Sequence, residues 1–226
     1  MIERAASREH AASLREAQDQ INKLRDEVER LTACLREREE AQHRDALTGT
    51  LDRGGIDATL EREWLRSRRG QVPLGLVFID VDRFKDINDQ HGHQIGDVAL
   101  QVIAQAIEAE ARRSSEVVGR YGGDEFVVIV PQADLETTLA LGERVRQAVA
   151  LARCYAADEK PIALSVSIGA SSAVASFDLS VGELVRRADR AVYAAKAHGR
   201  GITVGCDVQA GVDVMYGVQT EQVLSA

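Results

Sequence analysis

The sequence predicts an α+β domain, in which a mainly antiparallel sheet is backed by helices, preceded by a helical stalk. From about residue 44, apolar patterns follow one another in the order strand, helix, hairpin, helix, strand and helix. A Gly-Gly pair between two β-rich runs predicts the hairpin and therefore antiparallel pairing. A seven-residue apolar repeat in the first forty residues predicts the stalk.

The composition is that of a globular protein and narrows its partners. The 226 residues carry 28 Lys and Arg against 36 Asp and Glu, a net charge of −8, and 45% of them are hydrophobic. An acidic chain is a poor match for nucleic acid or an anionic membrane surface, although a small phosphorylated ligand remains compatible. Three widely spaced cysteines predict reduced thiols and a cytoplasmic location. The sequence also contains no apolar run long enough to span a membrane.

The stalk is predicted over residues 1–43, which lack Gly and Pro and are rich in Glu and Arg. Its a positions are Leu14, Ile21, Val28 and Leu35, and its d positions are Ala17, Leu24 and Leu31. β-Branched residues at the central a positions with Leu at d favour a parallel dimeric coiled coil. A single amphipathic helix lying on its own domain is the alternative.

The α+β domain is predicted over 44–204, with a tail over 205–226 to which no role is assigned. An apolar run typical of a central strand covers 74–80, and Gly122-Gly123 separates the strands of the hairpin. The predicted elements are helices over 56–69, 95–112, 135–153 and 181–198, and strands over 74–80, 117–121, 126–130 and 162–169.

Acidic residues at the ends of these strands indicate a metal site. The 74–80 strand is apolar until Asp80, where a buried carboxylate needs a cation. Oxygen ligands without a nearby Cys/His cluster suit Mg²⁺ or Mn²⁺. Beside Asp124 and Glu125, Gly122 and Gly123 leave room for a ligand. The alternative is a tight turn whose acids face solvent.

Basic residues nearby indicate an anion site. Lys85 follows the Asp80 turn, where backbone N–H groups could hold phosphate. Lys196 and Arg200 are four residues apart on the predicted last helix, although for this pair taken alone favourable charge at a helix C-terminus is the better explanation. The amide and carboxylate of Asn88 and Asp97 could read a guanine edge, or could make turns and cap helices.

Taken together, these blocks resemble the GGDEF family of diguanylate cyclases over about residues 45–201. The family signature is present in full as RYGGDEF at 120–126. The other matching blocks are DALTG at 45–49, FIDVDRFKDIN at 78–88, GHQIGD at 92–97, SIG at 167–169 and ADRAVYAAKAHGR at 188–200. Five ordered blocks around the hairpin make the match far more specific than the four-letter motif alone.

The resemblance implies a ferredoxin-like core related to nucleotide-cyclase palms, and synthesis of cyclic di-GMP from two GTP. It implies the following sites: metal at Asp80, the Val81 carbonyl and Asp124; catalysis at Asp124, Glu125 and Arg120; guanine at Asn88 and Asp97; and phosphate at Phe84, Lys85, Lys196 and Arg200. Each domain of the family binds one GTP, so two chains must face each other, and the stalk would make the homodimer and receive a regulatory protein.

Departures from the family pattern concern regulation. The product-inhibition motif Arg-x-x-Asp is Arg113-Ser-Ser-Glu116 here, which predicts weakened feedback. A catalytically silent GTP or cyclic di-GMP receptor, or a scaffold signalling through the stalk, is the competing interpretation. The intact Asp80, Asp124 and Lys196 argue against it.

Overall fold

The computed structural model describes residues 43–207, 215–217 and 220–224, and residues 18, 20, 22–25, 27, 28, 30 and 31. The chain divides into two compact units, 1–42 and 43–226. Every described residue between 18 and 31 is helical, as the heptads predict. Leu24 and Leu31 of the seam are 60% and 51% exposed in the single chain. Leu14, Ala17, Ile21 and Leu35 lie outside the described residues, so the coiled coil stays a prediction.

The second unit is built on a mixed sheet whose described strands run in the order β2-β3-β1-β6-β7-β8-β9. Its strands are β1 Pro73–Val81, β2 Val117–Arg120, β3 Glu125–Pro131, β6 Val166–Val174, β7 Thr203–Asp207, β8 Met215–Gly217 and β9 Thr220–Leu224. β1 is central and antiparallel to both β3 and β6, as predicted. β7 runs parallel to β6, the connection being a helix.

Five helices are described in this unit. They are α1 Arg53–Gly70, α2 Phe84–His91, α3 His93–Glu110, α4 Leu135–Leu151 and α5 Val181–Ala197. Side chains cap three of their N-termini: Asp52 accepts from the Gly55 N–H, Asp134 from Thr137 and Ser180 from Glu183. No described helix is long and apolar enough to cross a membrane.

The helices cover both faces of the sheet because β1 alternates its side chains. Val77 and Ile79 point into a core shared with α3 and α4, which also holds Phe126. Leu76 and Phe78 point into a second core shared with α1 and α5, which also holds Trp64. Both faces of β1 are therefore buried, and its apolar run ends at Asp80.

Three expectations from the sequence differ from the structure. The predicted 162–169 strand is two elements: Ile162 belongs to the small sheet of β4 Cys154–Tyr155 and β5 Pro161–Ile162, and β6 starts at Val166. α2 was missed because eight residues offer too little periodicity. The chain beyond 204 continues as β7, whose described residues Gly205 and Cys206 pair with Ala170 and Ser171 of β6.

Gly169 of β6 sets how closely α5 approaches the sheet. A Cβ there would lie 2.6 Å from the Val192 nitrogen and nearer still to the Ala188 carbonyl oxygen. Gly169→Ala must push α5 away, so we expect the free energy of unfolding to fall by about 2–3 kcal/mol. Gly182→Ala, at an exposed helix position where the nearest atom is the Ser180 hydroxyl at 3.7 Å, is the control and should be neutral or slightly stabilising. Equal melting temperatures for wild type and Gly169→Ala would contradict the close approach.

Candidate active site

The register between β1 and β3 brings the two acidic clusters together. Asp80 lies directly opposite Glu125, and the Val81 N–H donates to the Asp124 carbonyl at 3.1 Å. β1 ends and β3 begins there, so their carboxylates lie at the same end of the sheet. The metal ligands expected from the sequence are therefore neighbours.

The signature turn is closed by its own backbone. The N–H groups of Tyr121 and Gly122 donate to the Glu125 carbonyl at 2.8 and 3.3 Å. A Cβ on Gly123 would meet no described atom within 4 Å, whereas one on Gly122 would collide with the Glu125 carboxylate. The turn thus leaves open space at Gly123, as expected for a place where a ligand approaches.

Asp80 is a buried carboxylate held by one lysine. Its side chain is 11% exposed, and the Lys196 Nζ lies 2.6 Å from its Oδ2. Burial raises the pKa of Asp80, the Lys196 ammonium opposes that rise, and the charges of Asp124 and Asp82 add to it. Burial likewise raises the pKa of Glu125, with further contributions from Asp80 and Asp124. Negative charge is crowded here beyond what one lysine neutralises.

A cavity of about 470 Å³ opens beside these residues. Its lining consists of the acidic residues Asp80, Asp82, Asp86 and Asp124, the basic residues Arg83, Lys85, Lys196 and Arg200, and Val81 and Phe84. Every metal and phosphate candidate from the sequence therefore meets in one place. Carboxylates and ammonium or guanidinium groups around one cavity can hold a metal-bound phosphorylated compound.

The basic residues reach the cavity by different routes. Phe84 and Lys85 form the first turn of α2, whose N-terminus favours anions. Lys196 is in the last turn of α5, but that helix ends at Ala197. The expectation that Arg200 shares its helical face is therefore wrong, because Gly199 and Arg200 leave the helix with φ of +109° and +64°.

The two residues predicted to bind guanine, Asn88 and Asp97, are not among the described residues that line the cavity. Asn88 lies in the last half of α2 and the exposed Asp97 in the first half of α3. Gly96 lets the two helices approach, because a Cβ there would overlap the Asn88 amide oxygen. The structure thus brings α2 and α3 together, and their reading of a base stays a prediction.

Arg120 stabilises the signature turn by hydrogen bonds to its backbone. Its Nη2 and Nε donate to the Gly123 carbonyl at 2.6 and 3.2 Å, and its Nη1 lies 3.2 Å from the Asp45 carboxylate. The segment before α1 also pairs with β2, since Leu51 exchanges backbone hydrogen bonds with Val118 and Arg120. Asp45, which the sequence placed only in a turn, is the missed residue: nothing local reveals a partner 75 positions away.

The Glu116 carboxylate binds within its own turn, residues 113–116. The side chain is 5% exposed, accepts the Arg113 N–H at 3.0 Å, and lies 3.8 Å from that residue's Nε. Arg113 itself is exposed. The Glu116 carboxylate is therefore used within its own turn.

The donors around the cavity fit a hard divalent cation. The candidate set is the carboxylates of Asp80 and Asp124 and the carbonyl of Val81, all oxygen. Among the described residues no group of three or more His, Cys, Asp or Glu side chains is placed to hold a metal. Two carboxylates and one carbonyl leave coordination positions open, as a metal shared with substrate phosphates requires.

The mixed sheet with its flanking helices fits a palm-like core, and one cavity beside it is lined by both acidic and basic residues. Residues 42–201 match the family described as diguanylate cyclase, GGDEF domain. The chain belongs to this family. Its members that are diguanylate cyclases generally use divalent metal ions.

Curated relatives share the domain within longer chains. The chain is 39% identical over 182 residues to the diguanylate cyclase DosC of Escherichia coli K12, and 33% identical over 194 residues to the diguanylate cyclase DgcP of Pseudomonas aeruginosa. These matches cover 78% and 85% of this chain but 39% and 28% of the relatives. The chain thus spans about two fifths or less of the length of these two relatives.

Solved structures show the same fold. Diguanylate cyclase SiaD from Pseudomonas aeruginosa, in complex with its activator SiaC, is 31% identical with a TM-score of 0.70, covering 90% of this chain and 80% of that one. The coiled coil and GGDEF domain of DgcB from Caulobacter crescentus, in complex with c-di-GMP, is 28% identical with a TM-score of 0.70, covering 84% and 98%.

The Asp45–Arg120 contact gives a pH-dependent stability. Burial acts to raise the pKa of Asp45, but hydrogen bonds from Thr48 and the Arg120 guanidinium outweigh it and hold that pKa below its ordinary value. A lowered pKa makes the stabilisation complete above the ordinary carboxyl range and lost as pH falls through the lowered value. We expect Asp45→Asn to reduce the free energy of unfolding by about 1–3 kcal/mol at pH 7.

The difference between wild type and Asp45→Asn should shrink below about pH 4, as measured by urea unfolding across a pH series. Asp57→Asn, at an exposed position of α1, is the control and should leave the free energy of unfolding nearly unchanged at every pH. A difference for Asp45→Asn that is constant from pH 7 to pH 3 would contradict an ionic contribution.

Proposed function

We propose that this protein is a diguanylate cyclase, which condenses two GTP into cyclic di-GMP and releases pyrophosphate. The observation that carries the proposal is the cavity where Asp80 and Asp124 face Lys85, Lys196 and Arg200, in a chain of the GGDEF family. The names of the curated relatives agree with this activity.

In this proposal Asp80, Asp124 and the Val81 carbonyl hold Mg²⁺, or Mn²⁺ in its place. When bound, the metal acidifies the ribose 3′-hydroxyl and neutralises phosphate charge. Lys196, which pairs with Asp80 in the described structure, also lines the cavity. It can therefore exchange a carboxylate partner for a phosphate without leaving the cavity.

The rest of the pocket orients the nucleotide. Lys85, Arg200 and the backbone at Phe84 hold the phosphates, while Asn88 and Asp97 read guanine. The raised pKa of Glu125 suits a carboxylate that takes a proton from the 3′-hydroxyl. Arg120 acts through Gly123, whose carbonyl it binds, and so fixes the turn that carries Asp124.

One chain provides half of the reaction centre. Each domain holds a single GTP, and its 3′-hydroxyl must attack the α-phosphate held by a second, antiparallel domain. A parallel coiled coil over residues 1–43 would raise the effective concentration of that second half-site. A regulatory protein on the stalk could then change activity through the 43–52 segment, because that segment contacts β2 and Arg120.

The direct test is incubation of the purified protein with GTP and Mg²⁺, with cyclic di-GMP measured by chromatography. Asp124→Ala should abolish the product, at least a thousandfold loss, while the melting temperature is preserved, because a metal ligand is removed from an accessible turn. Ser171→Ala, a buried residue outside the cavity, should stay active. GTP binding without turnover would support the silent receptor instead.

The stalk predicts how activity depends on protein concentration. A chain beginning at His43 should lose specific activity on dilution, whereas the full chain should keep it, because only the full chain holds two domains together. Leu24→Asp with Leu31→Asp should mimic the truncation, and the exposed Lys23→Ala should not. Equal dilution profiles for the full and shortened chains would contradict a dimerising stalk.

Feedback by the product is proposed to be weak, because the Glu116 carboxylate is committed to the Arg113 turn. Calorimetry should show weak cyclic di-GMP binding to wild type. Glu116→Asp shortens the side chain, releases it from that turn, and should tighten binding about tenfold. Tight binding to wild type that is lost in Arg113→Ala would contradict the proposal.

A further inference from the structure

Asp82 joins three separate segments of the domain. Its Oδ2 accepts from the Ser165 hydroxyl at 2.6 Å and from the Gly201 N–H at 3.1 Å, and its Oδ1 accepts from the Ser167 hydroxyl at 2.7 Å. Its own N–H donates to the Ser165 carbonyl at 2.9 Å. Asp82 is only 9% exposed, and both of its carboxylate oxygens accept hydrogen bonds from the protein.

The three segments are the one that carries Asp82, residues 165–167, and residues 199–201, which include Arg200. Gly199, Arg200 and Gly201 have φ values of +109°, +64° and +62°. This left-handed backbone costs a residue such as arginine about 1–2 kcal/mol and persists only where its surroundings hold it. Two contacts hold it here: the Arg200 N–H donates to the Ala195 carbonyl, and the Gly201 N–H to Asp82.

These two hydrogen bonds, called the clamp below, hold the backbone on both sides of the Arg200 Cα. α5 has already ended at Ala197, so the helix does not direct this residue. The neighbouring Lys196 is held through its side chain by Asp80, whereas Asp82 accepts from the backbone N–H of Gly201, the residue after Arg200. Two carboxylates two residues apart thus place the two basic groups that α5 and its following loop bring to the cavity.

We propose that Asp82 is a positioning residue that aims Arg200 at the phosphates of the bound nucleoside triphosphate. This rests on the proposed function, because it requires a triphosphate in the cavity. Asp82 is not expected to affect guanine binding, because the residues proposed to bind guanine, Asn88 and Asp97, lie on α2 and α3. Loss of the clamp should therefore weaken triphosphate binding and leave the binding of a monophosphate nearly intact.

The experiment is calorimetric titration of the full chain with 3′-deoxy-GTP and with GMP, both with Mg²⁺. 3′-Deoxy-GTP binds without the condensation that consumes GTP, because it lacks the attacking hydroxyl. Asp82→Ala should lower the affinity for 3′-deoxy-GTP about tenfold and that for GMP less than about twofold. Asp82→Asn should recover most of the affinity, because its amide oxygen can still accept the Gly201 N–H while the Ser167 hydroxyl turns to accept its NH₂.

A double-mutant cycle shows whether Asp82 acts through Arg200. Asp82→Ala combined with Arg200→Ala should bind 3′-deoxy-GTP as Arg200→Ala alone does. Ser165→Ala removes one donor from an otherwise intact carboxylate and should give a smaller loss of the same selectivity. Ser171→Ala, on β6, is the control: its buried hydroxyl donates to the Leu184 carbonyl, away from the clamp, and the ratio of the two affinities should not change.

Equal losses for 3′-deoxy-GTP and GMP in Asp82→Ala and in Ser165→Ala would overturn the inference and leave Asp82 a structural residue. Additive effects of Asp82→Ala and Arg200→Ala would overturn it too. If wild type bound neither nucleotide, the proposed function would fail and the inference with it. If wild type bound both and only the selectivity change were missing, the inference alone would fail.

Discussion

The antiparallel pairing of β1 with β3 is the constraint on which the site depends. Its register sets Asp80 opposite Glu125 and joins Val81 to Asp124 through the backbone. A slip of one residue would turn the alternate side chains of β1 into the wrong cores and separate the acids. The apolar packing of both faces thus fixes the geometry of carboxylates that take no part in that packing.

The local electrostatics favour the state with a bound cation. Burial and mutual repulsion raise the pKa values of Asp80 and Glu125, and the Lys196 ammonium neutralises only part of the negative charge of these carboxylates. Such acids reduce the stability of the free protein near neutral pH, since folding opposes their ionisation. The overall charge of −8 therefore conceals a cavity whose lining includes the basic Lys196 and Arg200 as well as several acidic residues.

The sequence predicted the parts of this arrangement that have local signals. Helical spacing, the apolar run before Asp80 and the Gly122-Gly123 hairpin placed the main elements within a few residues of where the structure has them. Contacts between distant segments have no such signal. Asp45 meets Arg120, and Asp82 meets Gly201, across 75 and 119 positions, and only the folded sheet brings them together. Arg200 was placed on a helix because its i+4 spacing from Lys196 is helical, yet the backbone had already turned left-handed.

The central claim is that one chain carries half of a reaction centre, and mixing subunits tests it most directly. Full-length wild type and Asp124→Ala are combined at varying ratios, allowed to exchange, and assayed for cyclic di-GMP. If both half-sites are needed for the two bonds of the product, activity falls as the square of the wild-type fraction, to about a quarter at equal amounts. Activity that falls in direct proportion to the wild-type fraction would contradict the account, because each chain would then work alone.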